Sequence, residues 1–280
     1  MAGSSILSAA VSENEIASRL ELAIQRDELS IAFQPKIRAA TGALTGVEAL
    51  ARWHDKDLGI VSPSAFIPIA ERNGIVDAVT EWLLRAALTQ WSEWNAQGFK
   101  IPLAFNISAL SLRDPYLPDF VQKACERHAV PTEYLTIEVT ESATQHVVRL
   151  LDTLSRIRLK GMGLALDDFG TGYSSLLQLR QLPYSELKID RAFVGDALVS
   201  SESRLIIQAI VALAKGMGLS TTAEGVEDLG TFAILRELGC NDLQGFLISE
   251  ALPGPEIPAW ILNIEPEWRA RCSGQAETVN

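Results

Sequence analysis

Gly163-Leu-Ala-Leu-Asp-Asp168 is a short apolar run that ends in two adjacent carboxylates. An apolar run of this length is typical of a buried strand. Other runs in the chain lead into a carboxylate, an amide or an amine in the same way: Val47-Glu48, Leu103-Ala-Phe-Asn106, Leu135-Thr-Ile-Glu138, Leu187-Lys188 and Thr221-Thr-Ala-Glu224. The repetition matters because one fold, the α/β barrel, brings the carboxyl ends of all its strands to one face.

Strand-like and helix-like segments alternate through almost the whole sequence. The strand-like segments are residues 31–38, 45–52, 102–107, 134–140, 163–168, 185–190, 219–224 and 242–248. The helix-like segments are residues 62–72, 76–95, 119–128, 145–160, 174–182, 202–215 and 228–238. This alternation predicts an α/β fold whose parallel strands close into a TIM-type (β/α)8 barrel. No glycine-rich dinucleotide fingerprint follows the first strand, which disfavours an open sheet.

The chain shows no change of composition that would divide the barrel. We expect a lead with a first helix at residues 1–24, a single barrel domain at 25–265 and a loose tail at 266–280. Residues 1–10 contain no basic residue before their short apolar patch, so we expect no signal peptide. The Ser-rich lead is compatible with an excised catalytic domain, and we expect a possible regulatory domain to lie outside these residues.

Composition excludes several classes of protein. The net charge of −11 argues against binding of DNA or RNA as a polymer, because that needs clustered Lys and Arg. No run approaches the ~18 apolar residues of a membrane span. Three cysteines form no CxxC pair and three histidines lack zinc spacing, so we expect neither a disulfide framework nor a zinc site. A reducing, cytoplasmic location fits these cysteines.

Explanations that suit one acid at a time do not account for the whole set of acids at the strand ends. One such acid is as often a helix cap or an ion-pair partner as a metal ligand. A barrel, however, would place five carboxylates in one pocket with only Lys188 and Arg52 to balance them: Glu48, Glu138, Asp167, Asp168 and Glu224. Divalent cations relieve that repulsion, and oxygen ligands suit Mg²⁺ or Mn²⁺. Two such ions are typical of phosphoryl hydrolysis.

Five ordered motifs resemble the EAL-domain cyclic-di-GMP phosphodiesterases. They are Glu48-Ala-Leu with Arg52-Trp53, Asp167-Asp-Phe-Gly-Thr-Gly-Tyr-Ser-Ser175, Leu187-Lys-Ile-Asp190, Ala223-Glu-Gly-Val-Glu227 and Gln244-Gly-Phe246. The resemblance runs from about Phe33 to Pro253. It implies metal-dependent hydrolysis of cyclic-di-GMP to linear pGpG, which lowers the level of a bacterial second messenger.

The resemblance also implies a role for each matching residue. The first metal would be held by Glu48, Asn106, Glu138 and Asp167, and the second by Asp167, Asp168 and Glu224. Lys188 is expected to orient or activate the attacking water, with Glu224 as the alternative base, so that the catalytic residues are Lys188, Glu224 and Glu48. Substrate contacts are expected from Gln34, Leu50, Arg52, Asp190 and Gln244. Glu141 is expected to anchor the loop after Asp168, and Glu227 to support the ligands.

In the family, the loop at residues 168–174 contributes to a homodimer interface, so we expect a homodimer. Gly170 and Gly172 in this loop suggest that dimer rearrangement is coupled to activity. The chain departs from the family pattern at four positions, none of them an expected metal ligand: Phe33, Ser111, Phe246 and Glu250.

Three other functions compete with hydrolysis. A receptor that binds cyclic-di-GMP without cutting it is the first, although such members typically lose metal ligands that are present here. The second is a Mg²⁺-dependent barrel lyase or isomerase of enolase type, which also places acids and a Lys at strand ends. The third is an adaptor barrel, which the repulsion among five clustered acids disfavours.

Overall fold

The strands expected from the sequence close into a barrel. The computed structural model describes residues 12–141, 147–170 and 176–274. The eight barrel strands are β1 (Leu29–Arg38), β2 (Leu44–Asp55), β4 (Leu103–Asn106), β5 (Leu135–Thr140), β6 (Gly163–Phe169), β7 (Glu186–Ile189), β8 (Ser220–Ala223) and β9 (Asp242–Gln244). Two short strands, β3 (Gly59–Val61) and β10 (Leu252–Pro253), pair with β2 and β1 at the rim. The predicted single α/β barrel is confirmed.

One strand differs from the prediction of an all-parallel sheet. β1 runs antiparallel to both of its barrel neighbours, β2 and β9. The other seven barrel strands are β2 and β4 to β9, and each of them runs parallel to the next. The physical reason is the short connection at residues 39–43. A parallel crossover needs a dozen or more residues, so this connection can only form a hairpin.

The helices lie outside the barrel, most of them between consecutive strands. Their bounds are α1 (Glu13–Gln25), α2 (Pro63–Arg72), α3 (Val76–Ala96), α4 (Leu117–Arg127), α5 (Val147–Leu159), α6 (Leu176–Gln181), α7 (Arg191–Asp196), α8 (Ser201–Met217), α9 (Leu229–Glu237), α10 (Ile257–Asn263) and α11 (Glu265–Cys272). All seven predicted helices are present to within a few residues. The predicted starts at residues 145 and 174 lie outside the described residues.

The segment expected as a loose tail is partly a packed helix. In α11 the side chains of Trp268 and Cys272 are buried, and the Trp268 ring lies 5.3 Å from that of Phe232 in α9. The helix also covers the β1–β2 turn, where a Cβ on Gly42 would lie 2.3 Å from the carbonyl oxygen of Trp268. Residues 275–280 lie outside the described part of the chain. The division into residues 1–24, 25–265 and 266–280 remains a prediction.

The apolar core lies between the strands and the helices rather than inside the barrel. On β2 the buried outer residues include Val47, Ala49 and Trp53, and the Trp53 ring packs edge-on against Phe66 of α2. On β1, Phe33 packs at 4.8 Å against Trp94 of α3. The alternate residues of these strands point into the barrel, because successive side chains of a strand face opposite sides.

The barrel interior is polar and has two layers. The upper layer, at the carboxyl ends of the parallel strands, consists of Gln34, Glu48, Asn106, Glu138, Asp167, Lys188, Glu224 and Gln244. The lower layer lies two residues earlier on the parallel strands and two residues later on the antiparallel β1, and it includes Lys36, Thr136, Glu186, Thr222 and Asp242. In the lower layer the Lys36 Nζ lies 2.6 Å from Glu186 Oε1, and the Thr222 hydroxyl donates to the same oxygen at 2.5 Å. Small residues such as Gly46 and Ala104 leave room for these long side chains.

No helix in the described part of the chain is long and apolar enough to cross a membrane. The three cysteines of the chain are buried and form no disulfide with one another: Cys125, Cys240 and Cys272.

Candidate active site

Lys188 is the centre of the upper layer. Its ammonium lies 2.6 Å from both Glu138 Oε2 and Glu224 Oε1, 3.2 Å from Asp167 Oδ1 and 3.7 Å from Glu48 Oε2. The side chain is only 1% exposed. Four strands therefore deliver four carboxylates to one ammonium, which leaves a buried excess of negative charge.

Two amides link the rest of the upper layer. Asn106 Nδ2 donates to Glu48 Oε1 at 2.8 Å and to Glu138 Oε2 at 3.3 Å. Gln244 Nε2 donates to Glu48 Oε2 at 2.8 Å and to Gln34 Oε1 at 3.2 Å. The sequence-predicted ligands Glu48, Asn106, Glu138 and Asp167 are thus brought together around a shared volume.

A second group of oxygens overlaps the first. Asp167, Asp168 and Glu224 each offer one carboxylate oxygen, and these atoms lie within 4.8 Å of one another, so the group can hold a metal ion. Asp168 has a φ of +56°, which a non-glycine residue rarely adopts. Its backbone N–H donates to Asp167 Oδ1 at 3.0 Å. An all-oxygen donor set with excess buried negative charge fits a hard divalent cation.

The electrostatics of the cluster follow from burial and crowding. Burial, with the neighbouring carboxylates, raises the pKa of Glu138 well above its usual range despite Lys188. The same causes raise the pKa of Glu224 to about 8 and that of Asp168 to about 6. Burial also acts to raise the pKa of Glu48, but the charge of Lys188 and the Gln244 hydrogen bond outweigh it and lower that pKa. Protons, like cations, relieve the repulsion here.

Lys188 itself stays protonated. Burial acts to lower its pKa, but the surrounding carboxylates, led by Glu138 and Glu224, outweigh burial and raise that pKa well above its usual value. A lysine in this state donates hydrogen bonds and cannot accept a proton.

Glu141 lies where a loop anchor is expected. Its Oε2 accepts a hydrogen bond at 3.0 Å from the backbone N–H of Gly170, directly after β6. Gly170 has a φ of +103°, and a Cβ there would lie 2.9 Å from the Phe193 ring of α7, so glycine suits both backbone and packing. Residues 171–174, with Gly172 and most of the expected dimer loop, lie outside the described residues.

Three cavities border the cluster, and the third of them lies around the lower layer. The first, here called the α2–α3 groove, has a volume of about 640 Å³ and is lined by Leu50, Ile67, Glu71, Val79, Leu83, Asn106 and Ser108, among others. The second, here called the β9 pocket, has a volume of about 180 Å³ and is lined by Gln34, Glu48, Arg191, Glu224, Glu227, Gln244 and Phe246, among others. Asn106 borders the groove and its hydrogen-bond partner Glu48 borders the pocket, so these two cavities meet at the cluster.

Three of the five expected substrate contacts line these cavities. Leu50 lines the groove, whereas Gln34 and Gln244 line the pocket. Arg52 is half-buried, and its guanidinium donates to the carbonyl of Ala51 at 3.1 Å. Asp190 accepts a hydrogen bond from the backbone N–H of Ala192 at 2.8 Å and thereby caps α7. Their roles toward substrate remain predictions, as does that of Glu227.

The unusual residues of this chain have mostly local explanations. Phe33 is part of the core, and Ser111 donates a 2.6 Å hydrogen bond to Asp77 at the start of α3. Glu250 is exposed and is not among the residues that line the β9 pocket, whereas Phe246, 66% exposed, is.

Sequence reasoning missed the lower layer and Glu71. The lower layer could have been found from the spacing, because each member is two positions from an upper-layer residue on the same strand. Glu71 carries no such signal, since only the tertiary fold brings the end of α2 to the groove.

Comparison with known proteins agrees with this geometry. The family model for the EAL domain matches residues 17–251. The chain belongs to the EAL domain family. The resemblance of its motifs to that family is therefore confirmed.

Individual relatives and structures extend the comparison. The oxygen sensor protein DosP of Escherichia coli strain K12 is 39% identical over 253 residues, which are 90% of this chain and 32% of DosP. The bifunctional diguanylate cyclase/cyclic di-GMP phosphodiesterase MucR of Pseudomonas aeruginosa is 41% identical over 242 residues, 86% of this chain and 35% of MucR. A solved structure of the PaMucR phosphodiesterase in complex with c-di-GMP superposes with a TM-score of 0.83 at 40% identity, and the match covers 87% of this chain and 99% of that one. The EAL chain thus spans about a third of the length of these curated relatives.

Proposed function

We propose that this EAL domain hydrolyses one phosphodiester bond of cyclic-di-GMP in a metal-dependent reaction and releases linear pGpG. The observation that carries the proposal is the buried carboxylate cluster around Lys188, in which every expected ligand is present. Relatives named as cyclic di-GMP phosphodiesterases, at 37% and 38% identity, support the same activity. Lowering a bacterial second messenger is the role that this activity implies.

The donor set supports two divalent cations, Mg²⁺ or Mn²⁺. Glu48, Asn106, Glu138 and Asp167 would hold one, and Asp167, Asp168 and Glu224 the other. Asn106 would present its carbonyl oxygen, since its Nδ2 now donates to two of the carboxylates. When bound, such ions lower the pKa of a water molecule and stabilise negative charge on phosphoryl oxygens.

The reaction exchanges one bond to phosphorus for another. The water oxygen forms a new bond to phosphorus, the bond from phosphorus to the ribose 3′ oxygen breaks, and the 3′ oxygen gains a proton as the water loses one. Lys188 keeps its own proton, so we assign it to orienting the water and stabilising developing charge. Glu224, a carboxylate 2.6 Å from the Lys188 ammonium, is the alternative proton acceptor.

The groove and the pocket fit the shape of a cyclic dinucleotide. A scissile phosphate at the cluster would have a cavity on either side for the two nucleosides. The α2–α3 groove has apolar walls that include Leu50, Val79 and Leu83, which suits the faces of a base. The β9 pocket adds Arg191 and the exposed ring of Phe246. An enolase-type substrate, a small carboxylic acid, would leave most of this volume unused.

A homodimer through residues 168–174 remains part of the proposal. It rests on the resemblance to the family, and at the described start of this loop Glu141 holds Gly170 near the expected ligand Asp168. A regulatory domain outside the chain is supported by the length of the curated relatives. A reducing cytoplasmic location remains a prediction that fits three buried, unpaired cysteines.

The decisive assay separates hydrolysis from the alternatives. The protein is incubated with cyclic-di-GMP and Mg²⁺ or Mn²⁺, and pGpG is measured by chromatography. We expect product with metal, none with a chelator and none from Glu48→Ala. Tight binding without product would identify a receptor instead, and the absence of both would reject the proposal.

A further inference from the structure

The α2–α3 groove has one feature that its role as a base-sized cavity does not explain. Among the described residues that line it, Glu71 is the single carboxylate. Apolar side chains form most of the remaining wall. A carboxylate in such a wall needs a hydrogen-bond donor to replace the water that a ligand displaces.

Glu71 is held in place by a residue that follows an expected metal ligand. Ser108 donates its hydroxyl hydrogen to Glu71 Oε1 at 2.6 Å. Ser108 comes two residues after Asn106, and both line the groove. Two residues of chain span at most about 7 Å, so Ser108 and its partner Glu71 lie in the part of the groove near the cluster.

The second oxygen of Glu71 is not used in an ion pair. No cation in the described part of the chain lies within ion-pair distance of Glu71. The adjacent Arg72, which also borders the groove, is engaged with Glu13 of α1 at 2.8 Å. Glu71 therefore offers an oriented acceptor to whatever occupies the groove.

We propose that Glu71 determines base specificity by accepting hydrogen bonds from the Watson–Crick edge of a guanine in the α2–α3 groove. Guanine presents two donors on this edge, N1–H and the N2 amino group, whereas adenine has an acceptor at N1 and no amino group at C2. Unstacked bases are commonly read on this edge while their faces pack against side chains. The inference rests on the proposed hydrolysis of a cyclic dinucleotide and names the residue that selects its base.

The test is Glu71→Gln, with Asp77→Asn as the matched control. A glutamine can still accept from Ser108 through its carbonyl oxygen, but it turns an amino group toward the guanine donors. Asp77 accepts an equal 2.6 Å hydrogen bond from Ser111, yet it borders a different cavity. Both variants therefore remove one carboxylate charge and keep one hydroxyl contact.

Three measurements are made on the wild type and both variants. They are kcat/KM for cyclic-di-GMP, kcat/KM for cyclic-di-AMP, and the rate on bis(p-nitrophenyl) phosphate, a phosphodiester without a base. For Glu71→Gln we expect a loss of roughly 10- to 100-fold with cyclic-di-GMP, reduced discrimination against cyclic-di-AMP and less than about a twofold change without a base. Asp77→Asn should match the wild type throughout. Mn²⁺ affinity measured by calorimetry should not change in either variant.

The outcomes distinguish the two proposals. A Glu71→Gln enzyme that retains wild-type kcat/KM for cyclic-di-GMP overturns the specificity role and leaves the hydrolysis intact. Equal losses on all substrates, or weakened Mn²⁺ binding, also overturn it, because they would show that Glu71 acts on the structure of the site. A wild-type protein that cleaves no cyclic dinucleotide rejects the proposed function and this inference with it.

Discussion

Replacing Lys188 with Met should distinguish neutralisation of the clustered acids by the buried ammonium from their neutralisation by metal ions. The ammonium lies within 3.7 Å of four carboxylates and is almost completely buried. Removing one partner of a buried ion pair typically costs about 3–5 kcal/mol. With an unfolding entropy of about 2.1 cal/mol/K per residue, that corresponds to a fall of roughly 5–9 °C in the Tm of the metal-free protein.

Metal ions should restore the Tm that the Lys188→Met variant loses. A divalent cation no longer competes with the ammonium in the Lys188→Met variant, so Mn²⁺ affinity should rise roughly tenfold or more. Mn²⁺ should therefore return the Tm of the variant to near the wild-type value. Turnover of cyclic-di-GMP should still fall about 10²- to 10⁴-fold, because the orienting cation is absent.

The assay is thermal unfolding in chelator and in Mn²⁺, with calorimetry for metal affinity. Lys36→Met is the matched control, since Lys36 is also buried against a carboxylate at 2.6 Å but belongs to the lower layer. Its metal-free Tm should also fall, and Mn²⁺ should leave most of that loss in place. An unchanged metal-free Tm in Lys188→Met, or equal rescue of both variants by Mn²⁺, would refute the reasoning.

Three further predictions follow from the same structure. The fold raises the pKa of Glu224 from 4.5 to about 8. Its stabilising contribution to the free energy of unfolding is therefore fully present below pH 4.5 and is lost as the pH rises through 8. Between pH 4.5 and 8 the metal-free wild type should thus lose more unfolding free energy than Glu224→Gln, measured by urea titration, and parallel profiles of the two proteins would contradict it. Glu141→Ala should lower Mn²⁺ affinity roughly 10- to 100-fold by releasing the loop after β6, which calorimetry will test against the wild type. Gly42→Ala should cost about 1–3 kcal/mol more than Gly59→Ala, because both have φ near +70° but only the first meets backbone atoms, and similar urea midpoints would show that packing at the β1–β2 turn is loose.

Much of the upper layer could be predicted because strands impose simple rules. A polar residue that ends an apolar run marks a carboxyl end, and a barrel gathers such ends, so Glu138, Asp167 and Lys188 were expected to meet. Which oxygen contacts which cation depends on side-chain rotamers, and no spacing encodes those. The central position of Lys188 is therefore a structural finding.

Other features were missed for identifiable reasons. The orientation of β1 was predictable from the length of its connection to β2, but the regular alternation of segments suggested a parallel strand. α11 has charged residues at alternate positions and little apolar periodicity, so its sequence resembles an exposed tail, whereas Trp268 and Cys272 make it part of the fold. Glu71 depends on contacts between distant segments, which a single sequence does not reveal.

The polar barrel interior has a consequence for how this chain can change over time. Its apolar shell lies outside the strands, so exchanging an upper-layer acid for a neutral residue leaves the packed core untouched. At Glu138 or Glu224, whose pKa values the fold raises, such an exchange would even relieve repulsion and stabilise the metal-free protein, as is common where activity and stability conflict. Stability alone would thus remove these two carboxylates, and a chain that still carries both keeps them at a cost in stability. Substitutions that turn an enzyme of this kind into a binding protein of the same fold would therefore increase the free energy of unfolding.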